Sequence, residues 1–218
     1  MPEETGAMQE RAKISRRQIL RGAADRFELT GYGSTSMNDI VSAAQMTKGA
    51  VYFHFSSKDE LAQAVVEEQR QMSATAFADV EATDAPALEQ IVMVCNELAR
   101  QLRTDPVVRA GLRLTLELEG ADRPEGPYLT WIDQLQRLAT KAKAQGDLRD
   151  DARPEAIGRV VTSAFTGVQL VSNVLTKRDD LHLRLDELLT MLLSGIVSDE
   201  RRDGLADLVG SRLENRSA

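Results

Sequence analysis

Apolar residues recur every three or four positions along almost the whole chain, and hardly anywhere every second position. This spacing marks amphipathic helices rather than strands. The first stripe, Ile19, Leu20, Ala23, Ala24 and Phe27, predicts a helix over about 12–29, ended by Gly31 and Gly33. Residues 1–10 ahead of it are polar and read as a disordered tail. A short second stripe holds Met37, Ile40, Val41 and Ala44. Ser36 precedes it as an N-cap, and Asp39 lies three residues on, where an acid returns the hydrogen bond. Gln45 and Met46 then make a turn, with Met46 pointing inward. Thr47 caps a third helix from Lys48 to Phe55, whose Val51 and Phe55, four apart, pack inward.

A long helix follows from Lys58, capped by Ser57, with Asp59 and Glu60 in the first turn, where the macrodipole favours acids. It is expected to reach about Ala82 and to connect the first three helices to the body. Further helices are predicted over about 86–103, 106–119, 128–145 and 154–176, and a last main one carries Leu185 to Val197. Asp105-Pro106 is an N-cap followed by proline at the first helical position. Gly120 to Pro127 reads as a loop, and residues after Arg201 as a short polar helix or a frayed tail. The predicted fold class is all-α. An amino-terminal three-helix helix-turn-helix domain over 11–57 precedes a larger helical domain over 58–218, of which 58–82 is the connecting helix.

Charge changes the picture. The chain of 218 residues carries a formal net charge of −7, which alone argues against a polyanionic partner. Yet between Arg11 and Lys58 eight basic residues face three acids, so this stretch carries +5 and the remainder −12. A basic amino-terminal unit on an acidic body is the footprint of a localised nucleic-acid site. The single cysteine permits no intramolecular disulfide, which suits a reducing cytoplasm. No secretory signal is expected at the amino terminus and no stretch has the length of a membrane span.

The third helix leaves Lys48, Gly49, Tyr52, Phe53 and His54 off its buried face. The amino-terminal end of a recognition helix meets base edges in the major groove. Lys48 suits guanine O6 and N7, and Phe53 a thymine methyl. Gly49 and Ala50 allow close approach of the backbone, Tyr52 suits phosphate, and His54 and Lys58 sit where a helix end crosses the sugar-phosphate backbone. Together with the two cap residues Ser36 and Thr47, these form the expected DNA-contact set. A helical hairpin of an ordinary bundle is the plainer alternative.

The body carries no catalytic motif, no paired cysteines and no metal-ligand spacing, so neither an enzyme nor a cofactor is expected. His182 reads as a lone surface residue in a linker, and Cys95 as a core thiol. Trp131, the only tryptophan, is either core filler or the aromatic wall of an apolar cavity. Gln69 and Thr166, beside Phe165, are the polar candidates that interrupt apolar surroundings. The helix from Pro154 and the final leucine-rich helix are apolar on wide faces. They can bury one side in their own domain and offer the other to a second copy, giving a four-helix bundle across a two-fold axis.

The run TKGAVYFHFSSKDEL, from Thr47 to Leu61, resembles the recognition helix and following linker of the tetracycline-repressor (TetR) family. Gln45 departs from the glycine usual in that family's turn, and an αL residue other than glycine there costs about 1 kcal/mol. Beyond it, KDELAQAVVEEQ, DPVVRAGLRLTLE and the Pro-Tyr-Leu-Thr-Trp before a long helix are similar to the γ-butyrolactone receptors of the same family. That resemblance implies a homodimeric repressor on palindromic operator DNA, released by a small lactone or butenolide and controlling secondary metabolism. It also implies that Trp131 lines the effector pocket, with Gln69 and Thr166 placed for hydrogen bonds. A repressor answering to an antibiotic or another hydrophobic drug is the alternative.

Overall fold

The computed structural model describes residues 2–118 and 127–210. Its helices are α1 (Pro2–Ser34), α2 (Met37–Ala43), α3 (Lys48–His54), α4 (Lys58–Glu81), α5 (Ala87–Thr104), α6 (Pro106–Glu117), α7 (Tyr128–Ala144), α8 (Pro154–Thr176), α9 (Leu181–Ser194), α10 (Asp199–Arg202) and α11 (Leu205–Gly210). Among the described residues there is no strand, only an isolated antiparallel bridge between Leu148 and Val197. The fold class is all-α, as the 3.6-residue spacing requires. The loop expected over 120–127 falls, apart from Pro127, outside the described residues.

Two features of α1 depart from expectation. It begins at Pro2, where a disordered tail was expected. The segment is rich in Glu, Ala, Met, Gln, Arg and Lys, all good helix formers, and proline is tolerated in a first turn. Gly31 breaks the helix without ending it, at φ 80 and ψ 172. An ion pair of α6 satisfies the backbone groups freed there. Arg113 donates through Nη1 to the Glu28 carbonyl at 2.5 Å, and the Tyr32 N–H donates to Glu117 Oε2 at 2.6 Å. Arg113 Nε also donates to Glu117 Oε1 at 2.5 Å. A Cβ on Gly31 would stand 2.7 Å from Arg113 Nη2 and 2.9 Å from Glu117 Oε2, so both the conformation and the space require glycine.

The chain forms two compact units. One holds residues up to Met72 together with α6; the other holds Ser73–Arg103 and the chain from Tyr128 onward. Packing therefore divides the chain inside α4, not at its start. The reason is hydrophobic: Val107, Ala110 and Leu114 of α6 are buried in one core with Phe27, Ile40, Val51, Leu61 and Val65. In the second unit α7 and α8 pack closely. A Cβ on Gly158 would lie 2.5 Å from the Ile132 carbonyl and 3.1 Å from the Gln136 N, so α8 approaches α7 backbone to backbone at that point. His182 lies in the first turn of α9 rather than in a linker. Cys95 is a core thiol, and burial pushes it up to about 12.

Candidate functional site: a recognition helix and a buried aromatic cluster

The helix-turn-helix is built by local chemistry. Ser36 accepts from the Asp39 N–H at 3.2 Å, while Asp39 Oδ2 accepts from the Ser36 N–H at 2.9 Å and from its hydroxyl at 2.6 Å. These bonds complete the capping box and hold the Asp39 carboxyl below its ordinary range, the Ser36 hydroxyl contributing most. Gln45 adopts φ 53, so the turn keeps its left-handed geometry without glycine. Met46 packs partly buried against the core. Gln18 donates from α1 to the Ala44 carbonyl at 2.8 Å and seats the turn. Thr47 Oγ1 then caps α3 by accepting from the Ala50 N–H at 3.2 Å.

This packing turns one side of α3 outward. Val51 and Phe55 are buried, whereas Phe53 is 81% exposed and Tyr52 42%. Lys48 and Gly49 are exposed, and nothing lies within 4 Å of where a Gly49 Cβ would be. Lys48 Nζ stands 5.7 Å from the Tyr52 ring centroid, and His54 meets the edge of Phe53 at 5.2 Å. An exposed phenyl ring in a well-packed unit is an apolar surface offered to something else. Thr47 and Ala50 lie beside this surface. Ser36 and Lys58 stand differently from the rest of the expected set. The Ser36 hydroxyl proton goes to Asp39. Lys58 donates to the Tyr32 carbonyl at 2.9 Å, with its ammonium 4.2 Å from the Tyr32 ring centroid. The Tyr32 phenol donates to Asp59, and burial together with that bond pushes it up to about 12.

In the second unit, Trp131 and Phe165 come together. Trp131 is 2% exposed and meets Phe165 edge to face at 6.0 Å and 87°, and Tyr128 at 6.0 Å and 85°. Among the described residues the indole N–H has no hydrogen-bond partner, and neither has the Tyr128 hydroxyl. A core tryptophan normally has its N–H satisfied, and an unpaired buried polar group costs about 1–3 kcal/mol. Burial raises the Tyr128 phenol above its ordinary value. The Thr166 hydroxyl, a neighbour of Phe165, donates to the Thr162 carbonyl at 2.8 Å, so its proton is used within α8. Gln69 is fully buried in the first unit, where its side chain fills the space left by Gly111. The sequence pattern missed Tyr128, Gln134, Thr162 and Gln169, whose unpaired buried atoms become visible only once the helices are packed.

A family model for bacterial regulatory proteins of the tetR family matches residues 19–65, and one for the tetracyclin repressor-like C-terminal domain matches residues 85–198. The chain belongs to the TetR family. It is a DNA-binding transcriptional regulator of the kind that takes a small-molecule ligand, not an enzyme. It is 32% identical over 213 residues to the A-factor receptor protein of Streptomyces griseus, an alignment covering 95% of this chain and 75% of that protein. A crystal structure of a gamma-butyrolactone receptor (ArpA-like protein) superposes with a TM-score of 0.82 at 31% identity, covering 95% of this chain and 100% of that one. CprB from Streptomyces coelicolor, solved in complex with its biological operator sequence, gives 0.80 at 31% identity, with the same coverage. Among the described residues no helix of this TetR-family chain is long and apolar enough to cross a membrane, and no cluster of potential metal ligands is found.

Proposed function

We propose that the protein is a cytoplasmic, homodimeric repressor of secondary metabolism whose operator binding is released by a γ-butyrolactone- or butenolide-type signal. The observation that carries the reading is the buried aromatic cluster with an unsatisfied indole N–H at Trp131. A lactone carbonyl accepts such a bond, while its apolar part fills space among rings. The resemblance to receptors for this class over nearly the whole chain supports the same choice. Phe165 supplies the second wall. Gln69 and Thr166 remain effector candidates, Thr166 as an acceptor because its proton is already placed.

On the DNA side, Lys48, Gly49, Ala50, Tyr52, Phe53 and His54 meet the operator through the exposed face of α3. Thr47 keeps its hydroxyl proton for phosphate, since the cap uses only its oxygen as an acceptor. Ser36 and Lys58 reach phosphate only if their bonds to Asp39 and Tyr32 are shared or exchanged. By role, residues 11–57 bind DNA, and residues 58–218 bind effector and partner, with 58–82 connecting them. A palindromic operator calls for two copies, with half-sites about 34 Å apart. The unpartnered apolar positions that suit a second copy are Val160, Val171, Val174 and Leu175 on α8 and Leu183 and Met191 on α9; Val174 and Met191 are 73% and 76% exposed. Phe165 and Leu189 lie on the inner faces of the same helices, at 2% and 0%.

Effector binding releases DNA only if it favours one conformation of the chain over another. Coupling free energies of this kind are about 1–3 kcal/mol. Because α4 runs unbroken from one unit into the other, it is a continuous helical route for that coupling, beside the chain crossings at Arg103–Thr104 and Pro127–Tyr128. Operator selection followed by a release screen with lactones, butenolides and furans tests the reading. Release by a lactone or butenolide is expected, and release only by unrelated drugs overturns the effector class.

A further inference from the structure

The end of α1 is gripped by charged side chains of α6. Gly31 interrupts the helical ladder, and α6 takes up the freed groups: Arg113 bonds the Glu28 carbonyl at 2.5 Å, and Glu117 accepts from the Tyr32 N–H at 2.6 Å. Arg113 and Glu117 bond each other at 2.5 Å, and Arg109, one turn earlier, donates to the Glu28 carboxylate at 2.5 Å. This grip fixes the backbone of Tyr32. Its ring is fixed separately, stacked 6.1 Å from the fully buried Phe27. Tyr32 is therefore held rigidly just where a glycine break would otherwise leave the chain loose. What it carries is the first turn of α4. Its carbonyl accepts from the Lys58 ammonium at 2.9 Å, and the same Nζ stands 4.2 Å from the ring centroid. Its phenol donates to the Asp59 carboxylate.

One tyrosine thus holds both charges of that turn, the cation at its carbonyl and ring and the acid at its hydroxyl. An ammonium has three protons, and the Tyr32 carbonyl takes one, so the others stay available to a phosphate. Ordering a lysine side chain costs rotamer freedom. Here that cost falls on folding and not on DNA binding, which is what preorganisation means. We infer that Tyr32, with Arg113 and Glu117 of α6 behind it, positions Lys58 for its phosphate contact, so that α6 sets part of the sequence-independent affinity for DNA. The three are positioning residues and act through Lys58. α6 falls in the segment matched by the carboxy-terminal family model, residues 85–198, yet it packs in the first unit with the helix-turn-helix. The inference rests on the reading that Lys58 meets phosphate.

The experiment measures the salt dependence of binding to a short random-sequence duplex and to an operator duplex selected by the wild-type protein from a random library. Wild type, Lys58→Ala, Glu117→Ala, Glu117→Gln, Arg113→Met and the double variant Glu117→Ala with Lys58→Ala are compared, with their melting temperatures. Lys58→Ala is expected to lower the salt slope by about one and to weaken binding to both duplexes roughly tenfold at about 0.1 M salt. Glu117→Ala is expected to reproduce most of that loss, slope included, and to add nothing once Lys58 is gone. Glu117→Gln keeps an oxygen for the Tyr32 N–H and should restore the wild-type slope. Arg113→Met keeps the apolar stem without the donors and is expected to behave as Glu117→Ala does; it carries the test if Glu117→Ala melts below the assay temperature. A merely structural grip predicts weaker binding with an unchanged slope, and a loss that adds to that of Lys58→Ala. Either result, or wild-type binding in the folded α6 variants, overturns the positioning role and leaves the Lys58 contact standing. A Lys58→Ala protein with the wild-type slope overturns both.

Discussion

The two functional regions treat their chemistry differently: one shows it to solvent and the other buries it. α3 presents its working groups to solvent: Phe53 is 81% exposed beside Lys48 and His54. The α7–α8 region hides its own, with Trp131 at 2%, Thr162 at 3% and Gln169 at 3%, their polar atoms unpaired. An exposed site can be read from a short stretch, because an out-of-place aromatic residue stands beside its helix signals. A buried site cannot. Its signature is a missing hydrogen bond, which exists only after the helices meet. The exposed site carries little intrinsic cost, whereas the buried one, which we propose as the effector site, keeps unsatisfied groups at about 1–3 kcal/mol each.

The largest expected effect tests whether either region works alone. Val174→Asp puts a charge on the outer face of α8, 73% exposed in the single chain and placed for a second copy. Sedimentation should give monomers at micromolar concentration, with operator binding lost. A stable dimer in that variant moves the interface elsewhere. Next comes the exposed site itself. Lys48→Ala should cost about 1–3 kcal/mol at one operator position and relax preference there, because a bidentate base contact is lost. Lys58→Ala separates two roles of one ammonium. A phosphate contact predicts uniformly weaker binding and a salt slope lower by about one. A purely structural role at Tyr32 predicts a lower melting temperature with the slope unchanged.

Smaller effects probe the supports. Ser36→Ala removes one half of the capping box and should cost about 0.5–2 kcal/mol, read as a fall in melting temperature without a change in effector affinity. The α8–α9 corner gives a pH test. Asp180 accepts from Ser172 at 2.6 Å, from Thr176 at 2.7 Å and from Arg184 at 2.7 Å, bonds that hold its carboxyl down to about 2. Its native value lies below the ordinary value of 3.8, so its contribution is present above pH 4 and is lost as pH falls from there toward 2. Asp180→Asn should flatten the acid limb of the stability profile in that window. An unchanged profile removes Asp180 from the account.

How much was legible follows the same division. The capping box at Ser36 and Asp39, the cap at Thr47 and the buried pair Val51 and Phe55 were readable because each signal lies within four residues of its partner. The helix order was readable from spacing. The continuation of α1 back to Pro2 was obscured because polarity was taken for disorder in a stretch of good helix formers. The place of α6 in the first unit was unreadable, since Leu114 shares a core with Phe27 and Leu61 only across a long gap in sequence. Trp131 and Phe165 were found as residue types. Thr162 and Gln169 were not, because a threonine in a helix gives no sign of whether its hydroxyl bonds backward until its neighbours are in place.

The central claim is that the buried cluster senses and the exposed helix binds, and that the two are separable. The most direct test titrates a 2-alkyl-γ-butyrolactone into operator complexes of wild type and Trp131→Ala, following operator release by fluorescence anisotropy. Removing a large apolar contact of about 1.5–3 kcal/mol should raise the lactone concentration needed for release roughly ten- to a hundredfold. Operator affinity without ligand should match wild type. A Trp131→Ala protein that melts early and binds no operator would contradict the account, and would make the ring a core filler.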